Sequence, residues 1–312
     1  MAQIILQNVR PDLSRDHVRL ATKTMQAIHD CIEVDQGATY RGNLQKVIPH
    51  IGDAYSTDMF PFRSHMGASL IGRSCRREVW YGFRWFQVPK HSGQLLRLFN
   101  RGHLEEARFI AILLTIGAQV FQQDENGNQF RIHHADGHFG GSGDGIIFNI
   151  PDMPNEYILG EFKTHGDKSF TKLKAEGVAK SKPEHVIQMN IYMEKMNIPA
   201  CLYMAVNKNT DEIHAEIVVV NHELANYYLN LGEELVYAET PPRKLNESSG
   251  YYECKFCDFR PICHLNALPY KNCRTCAFSL PIEEKQWVCR HTGEVLSKEK
   301  QFVGCDVYLR IA

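Results

Sequence analysis

Apolar residues recur along this chain with two different periods, and the change of period divides it into elements. From residue 12 to 34 the apolar positions Leu13, Val18, Leu20, Ala21, Met25, Ile28 and Ile32 fall at helical spacing, which predicts an amphipathic helix packed on a core. Residues 36–72 are rich in Gly, Pro and Ser and read as loop. A second helix is expected over 94–116, on Leu95, Leu98, Phe99, Leu104, Ala107, Ile110 and Leu114. Residues 118–139 suggest short strands around the polar turn Asp124–Asn128. Two apolar runs, Ile146–Ile150 and Tyr157–Lys163, flank the Pro-containing turn Pro151–Asn155 and predict a β-hairpin. A helix should begin near Pro183, since proline suits a first turn. Strands are expected over 199–207 and 213–220, then a helix over 222–238. The sum is a mixed α/β core without internal repeats.

The hairpin carries the chemistry. In a strand, residues two apart share a face, so Glu161 and Lys163 point one way and Phe162 points into packing. Asp144 stands at the start of the first strand, across the hairpin. Two carboxylates and one ammonium thus converge at a sheet edge. Carboxylates are hard oxygen ligands suited to Mg²⁺ or Mn²⁺. A neighbouring lysine can hold an attacking water or steady developing negative charge. Metal-assisted hydrolysis of a phosphodiester uses such a set.

Two stretches are locally basic. Arg73, Arg76, Arg77, Arg84, Lys90, Arg97 and Arg101 interleave with Trp80, Tyr81, Phe83, Trp85 and Phe86. That mixture fits either a single-strand-binding groove or an aromatic core helix with a solvated basic face. Lys168, Lys172, Lys174, Lys180 and Lys182 follow Lys163, as a phosphate grip or as a lysine-rich surface loop. His133, His134 and His138 lack the spacing of a known ligand set and read as structural or nucleic-acid-proximal.

Composition narrows the setting. Of 312 residues 44% are hydrophobic, enough to bury a core, and the net charge of −1 confines any nucleic-acid affinity to local patches. No apolar run is long enough for a membrane span, and the start, MAQIILQNVRPDLSRD, lacks the pattern of a secretory signal. A cytoplasmic location is therefore expected, the host's if the chain is phage-encoded. Seven of the ten cysteines crowd into Cys254–Cys305, which in a reducing compartment reads as metal binding rather than disulfides.

Asp144 followed by Glu161-Phe162-Lys163 resembles the core of the PD-(D/E)XK nuclease superfamily. Upstream, Arg101-Gly102-His103-Leu104-Glu105-Glu106 resembles the His-bearing helix of its RecB-like branch. Downstream, Gln188-Met189-Asn190-Ile191-Tyr192 is similar to that branch's Q-x3-Y motif. The resemblance covers Arg101–Tyr192 and extends to Cys75–Cys263. It implies a restriction-endonuclease-like α/β fold, a mixed central sheet flanked by helices. His103, Asp144, Glu161 and the Phe162 carbonyl would hold one or two divalent cations. Lys163 would place the nucleophilic water, and Gln188 and Tyr192 the DNA backbone. The implied activity is DNA exonuclease, on single- or double-stranded ends, in recombination or repair and with a recombination or single-strand-binding protein as partner; the alternatives are a catalytically silent nucleic-acid- or protein-binding module on the same scaffold and a site-specific endonuclease. Glu106, one turn beyond His103, either orients it or belongs to a solvated face.

Cys254, Cys257 and Cys263 form C-x2-C-x5-C, resembling the trio of iron–sulfur RecB-like nucleases of the AddB and CRISPR-associated kinds, with Cys75 in the place of the distant fourth ligand. This implies a [4Fe–4S] cluster, with zinc as the alternative occupant. Cys273, Cys276, Cys289 and Cys305 then suit a closed structural zinc site on a small cysteine-rich C-terminal appendage, with Leu296, Val303, Trp287 and Tyr308 as its core. A competing partition joins Cys254 and Cys257 with Cys273 and Cys276 as C-x2-C-x15-C-x2-C, and His264 and His291 are substitute ligands in either scheme. Cys31 and Cys201 read as buried free thiols. The expected divisions are an N-terminal region 1–72, a nuclease core 73–265 and a zinc-binding appendage 266–312.

Overall fold

A computed structural model describes residues 17–55 and 61–311. In chain order it contains β1 (Val18–Leu20), α1 (Thr22–Val34), α2 (Ala38–Val47), β2 (Met66–Gly67), α3 (Arg76–Phe83), α4 (Gly93–Thr115), β3 (Gln119–Phe121), β4 (Arg131–His134), β5 (Phe139–Ser142), β6 (Gly145–Ile150), β7 (Met153–His165), α5 (Asp167–Ser181), α6 (Pro183–Met196), β8 (Ala200–Asn207), β9 (Ile213–Val219), α7 (His222–Tyr237), α8 (Tyr252–Lys255), α9 (Arg260–His264), β10 (Ser279–Pro281), β11 (Trp287–Cys289) and α10 (Lys298–Val303).

Six strands form the central sheet in the order β1-β9-β8-β7-β6-β3. The sheet is mixed: β7 and β8 run parallel, and the other neighbours are antiparallel. All eight residues of β8 are buried, so this strand is covered on both faces. Its side chains alternate between two cores. Cys201, Tyr203 and Ala205 join residues of α5, α6 and α7, while Leu202, Met204 and Val206 join residues of α1, α2 and α4. This is a three-layer arrangement with helices on both faces of a mixed sheet. The strands β2, β5 and β4 make a smaller sheet beside it.

Local chemistry explains most boundaries. Ser92 caps α4 by accepting from the Leu95 amide at 3.2 Å, and Asn221 caps α7 by accepting from the Leu224 amide at 3.0 Å. Pro183 opens α6, and Asn197 closes it in the left-handed conformation.

Three expectations change. Residues 18–20 pair with β9 as an edge strand, so the first helix starts at Thr22, and Leu13 lies outside the described residues. The stretch read as loop contains α2, where Tyr40, Leu44 and Val47 supply an apolar stripe against the core. Three apolar residues suffice for a ten-residue helix that packs on a longer one, even where Gly42 lowers its propensity. The lysine-rich stretch after Lys163 is helix α5, kinked at Gly177, rather than a loop. Its Lys174 pairs with Glu212 and its Lys172 with Glu176, on the outer surface.

The C-terminal segment is joined to the body through two buried arginines. Arg84 donates to the carbonyls of Ser279 at 2.9 Å, Ala238 at 3.2 Å and Arg274 at 3.3 Å. Arg274 donates to the carbonyls of Phe83 at 3.1 Å and Ser64 at 3.0 Å, and to Gln301 Oε1 at 2.9 Å. The Arg274 guanidinium lies 3.8 Å from the Trp85 ring centre and 4.5 Å from that of Trp287; Arg84 lies over Trp80 and Trp287. Trp80, Tyr81, Phe83, Trp85 and Phe86 are all buried, which leaves no ring face free for a base. The aromatic segment is therefore a core element with basic edges, not a stacking groove. Trp287 and Leu296 belong to the same core as α6 and α7, while Val303 is 70% exposed and lies outside it.

Candidate active site

Hairpin β6–β7 builds the centre of the site. Gly145 pairs with Gly160, so Asp144 lies directly beyond the pair, opposite Glu161. Asp144 Oδ2 accepts a hydrogen bond from the Phe162 amide at 2.7 Å, which locks the carboxylate to the strand that carries its partner. Phe162 points to the opposite face and stacks on Phe109 of α4, with ring centres 5.1 Å apart. Its carbonyl faces the site and lies 3.2 Å from Lys163 Nζ.

Glu161 is fully buried, and its Oε2 has no hydrogen-bond partner. Its Oε1 is ion-paired with the Lys163 ammonium, which also stands 4.0 Å from Asp144 Oδ2. Burial first, and then the nearby charge of Asp144 and Glu106, raises the Glu161 carboxyl to about 7 against the pull of Lys163. Glu161 and Asp144 in turn hold the Lys163 ammonium above its ordinary value, although burial opposes them. A buried carboxylate with an orphaned oxygen is costly to keep, and such groups concentrate at working sites.

A cavity of about 500 Å³ opens at Asp144 and Lys163. His103, Asp144, Lys163, Gln188 and Tyr192 line it, so five of the six residues singled out in the sequence share one space; the sixth, Glu161, is buried behind Lys163, with which it is ion-paired. His103 and Glu106 come from α4; their nearest approach, from Nδ1 to Oε1, is 3.7 Å, and the carboxylate raises the imidazole's affinity for a proton. Gln188 and Tyr192 come one turn apart on α6. Burial raises the Tyr192 phenol, so it stays a neutral hydroxyl. Tyr192 fits because residue 141 is glycine: a Cβ there would stand 2.2 Å from the hydroxyl.

The cavity also gathers groups the sequence did not mark: Asp53, Arg63, His65, Arg131 and Lys285. They come from segments between 53 and 285 with no shared motif, and only the fold brings them together. His133 lines the cavity as well; His138 is buried, with Nε2 bonded to the Ile282 carbonyl at 2.7 Å, and His134 pairs with Glu233 at 3.3 Å.

The cysteines fall into two groups. Cys75, Cys254, Cys257 and Cys263 line one small cavity together with His264. Cys273, Cys276, Cys289 and Cys305 line another, with Phe278, Leu296 and Tyr308. Cys201 is buried and alone in the core, and Cys31 is only half-buried. Among the described residues, no group of three or more His, Cys, Asp or Glu side chains is arranged as it stands to hold a metal ion. What fits a hard cation is the donor set, the carboxylates of Asp144 and Glu161, one of whose oxygens has no partner, with the imidazole of His103. What fits a soft one is each group of four thiols.

No known protein family matches the chain, and no curated protein matches it. Among solved structures it is similar to SSO0001, at 18% identity over 73% of this chain and 97% of that one, with a TM-score of 0.41. It is also similar to an alkaline exonuclease (LHK-Exo) from Laribacter hongkongensis, at 15% identity over 55% of this chain and 88% of that one, TM-score 0.37. LHK-Exo in complex with dAMP gives 15% identity, 55% and 86% coverage and a TM-score of 0.38. Likeness at this level carries no functional weight, and the chemistry has to come from the residues of this chain. No helix among the described residues is long and apolar enough to cross a membrane.

Proposed function

We propose that the chain is a divalent-metal-dependent deoxyribonuclease of the RecB-like PD-(D/E)XK kind, an exonuclease acting on DNA ends in recombination or repair. The observation that carries this reading is the buried Glu161 with its orphaned oxygen, set across from Asp144 and beside Lys163, the two of which line a 500 Å³ cavity. Asp144, Glu161, His103 and the Phe162 carbonyl would hold Mg²⁺ or Mn²⁺, which when bound polarises the phosphodiester and lowers the pKa of water. Lys163 holds its proton firmly and donates to an attacking water or to the phosphate's developing charge. Gln188 and Tyr192 offer neutral donors to the strand's backbone and fix its position. The ion pair between Glu161 and Lys163 favours one rival, a catalytically silent nucleic-acid-binding protein on the same scaffold.

One assay separates the two. End-labelled linear DNA, single- and double-stranded, is incubated with Mn²⁺ or Mg²⁺ beside Glu161→Ala and Lys163→Ala. Metal-dependent degradation lost in both variants is the expected result, and label release gives the polarity. Binding without cleavage by folded, metal-replete protein leaves the silent reading.

The two thiol groups are proposed as metal centres of different kinds. Cys75, Cys254, Cys257 and Cys263 would hold a [4Fe–4S] cluster, and Cys273, Cys276, Cys289 and Cys305 a structural zinc. Anaerobically purified protein should be brown, with thiolate-to-iron absorbance and one zinc per chain. Colourless protein with two zinc ions would remove the cluster and leave the nuclease reading intact.

A further inference from the structure

We infer that Lys285, carried to the active-site cavity by a hairpin of the C-terminal segment, contacts a phosphate of the bound nucleic-acid strand. The inference rests on the nuclease reading of the cavity and adds to it a substrate contact from outside the stretch that resembles the nuclease family.

The geometry is specific. Strands β10 and β11 pair from Ser279 opposite Cys289 to Pro281 opposite Trp287, and the turn between them projects residues 282–286. Glu284 and Lys285 both adopt left-handed backbone, with φ of 57° and 59°. This turn docks on a second one. The Lys285 amide donates to the Asp136 carbonyl at 2.9 Å, and His138 Nε2 meets the Ile282 carbonyl at 2.7 Å. Ala135 and Asp136 are left-handed as well, at 47° and 52°. Four non-glycine residues in that region cost about 1 kcal/mol or more each, so the junction is held by the surrounding structure rather than by local preference.

The same junction aims the side chain. A Cβ on Gly137 would stand 2.6 Å from both Cγ and Cε of Lys285, so the lysine stem lies flat across bare backbone. Beyond Gly137 the residue lines the cavity that holds Asp144, Lys163 and Gln188.

Two of its neighbours there are cationic. Arg63, Arg131 and Lys285 share this part of the cavity wall with the imidazoles of His65 and His133. Burial, followed by the positive charge of Arg63, Lys285, Arg131 and His133, lowers His65 to about 4. Among the described residues, no carboxylate lies within ion-pair reach of Arg63, Arg131 or Lys285, whereas Arg73, Arg108, Lys174, Arg290 and Lys300 all have one. Uncompensated cations on the wall of a cavity attract an anion, and the anion that a nuclease brings there is phosphate. The base of the hairpin lies at the second thiol group, since Cys276 precedes β10 and Cys289 ends β11.

The test is binding without turnover, in the Glu161→Gln background, with and without Lys285→Gln. Fluorescent single-stranded and duplex oligonucleotides, each with a 5′-phosphate or a 5′-hydroxyl, are titrated by anisotropy across a salt series. Loss of one charge-assisted phosphate contact should weaken binding on the order of tenfold. It should also flatten the slope of log K against log salt by about 0.7 for single strands or about 0.9 for duplex. Lys285→Arg should restore both, and zinc per chain should not change. An equal loss on both ends identifies an internal phosphodiester, and a loss confined to phosphorylated ends identifies a terminal phosphate; either supports the assignment. Unchanged affinity and slope in Lys285→Gln, while the parent binds, would overturn it. A parent that binds no nucleic acid would remove the nuclease reading and this inference with it.

Discussion

Two of the places where the molecule buries strong charge treat it in opposite ways. At the joint between the body and the C-terminal segment, Arg84 and Arg274 are sealed from water, yet each guanidinium donates to three carbonyl-type oxygens and lies against tryptophan, with only Arg84 Nε left without a partner. In the candidate site, Glu161 is equally sealed and has one oxygen with no hydrogen-bond partner. A buried guanidinium held by several carbonyls fixes a structure, and a buried carboxylate with a free acceptor oxygen keeps a capacity to bind. The contrast separates an architectural centre from a chemical one without reference to any relative.

Breaking the chemical side should give the largest effect. Glu161→Gln is expected to lower nuclease turnover by on the order of 10³-fold or more, since it removes charge from the proposed cation site, while circular dichroism stays native. The architectural side should fail in the other currency. Arg274→Met leaves the Phe83 and Ser64 carbonyls without donors, and a loss of about 3 kcal/mol in denaturant unfolding is expected, with metal-dependent turnover per folded molecule retained.

A smaller effect concerns pH. The folded Glu161 carboxyl is raised to about 7 from an unfolded value near 4.5, chiefly by burial. Between those values the folded state binds more protons than the unfolded one, so the contribution of Glu161 to stability is fully present below about 4.5 and is lost as pH rises through 7. His65 and His165, both lowered to about 4 mainly by burial, act in the opposite sense across the acid range. The readout is therefore the difference between wild type and Glu161→Gln in metal-free unfolding curves: wild type should lose stability relative to the variant from pH 4.5 to 7. At limiting Mn²⁺, turnover should rise through pH 7 and the midpoint should fall as Mn²⁺ is increased, because the cation takes the deprotonated form. The smallest change expected is in Gly141→Ala. Its methyl group would displace the Tyr192 hydroxyl, costing about tenfold in turnover with little change in unfolding midpoint.

The two sides were also unequally legible in the sequence. Asp144, Glu161 and Lys163 could be read because a hairpin and the two-residue period of a strand place them by local rules. Gln188 and Tyr192 followed from one helical turn. The arginine joint could not be read, because Arg84 and Arg274 lie 190 residues apart and their carbonyl partners carry no side-chain signal. The same limit hid Asp53, Arg63, Arg131 and Lys285, each unremarkable in its own segment. Helix α2 was missed for another reason: glycine content outweighed its short apolar stripe, and packing against α4 decided the outcome. The aromatic–basic segment offered two readings, and burial of all five rings selects the core.

The reach of the arginine joint has a consequence for how the protein is made. On a growing chain, Arg84 emerges some 190 residues before the oxygens at Arg274 and Ser279 that it will meet. Until then a guanidinium destined for the interior stays in water, and the tryptophans around it lack part of their cover. Lys285 and the second cysteine group arrive in the same late stretch. Closing so long a loop is slow, and surface exposed during the wait is prone to aggregate. The wall of the cavity is therefore incomplete on a nascent chain that has not yet reached Lys285.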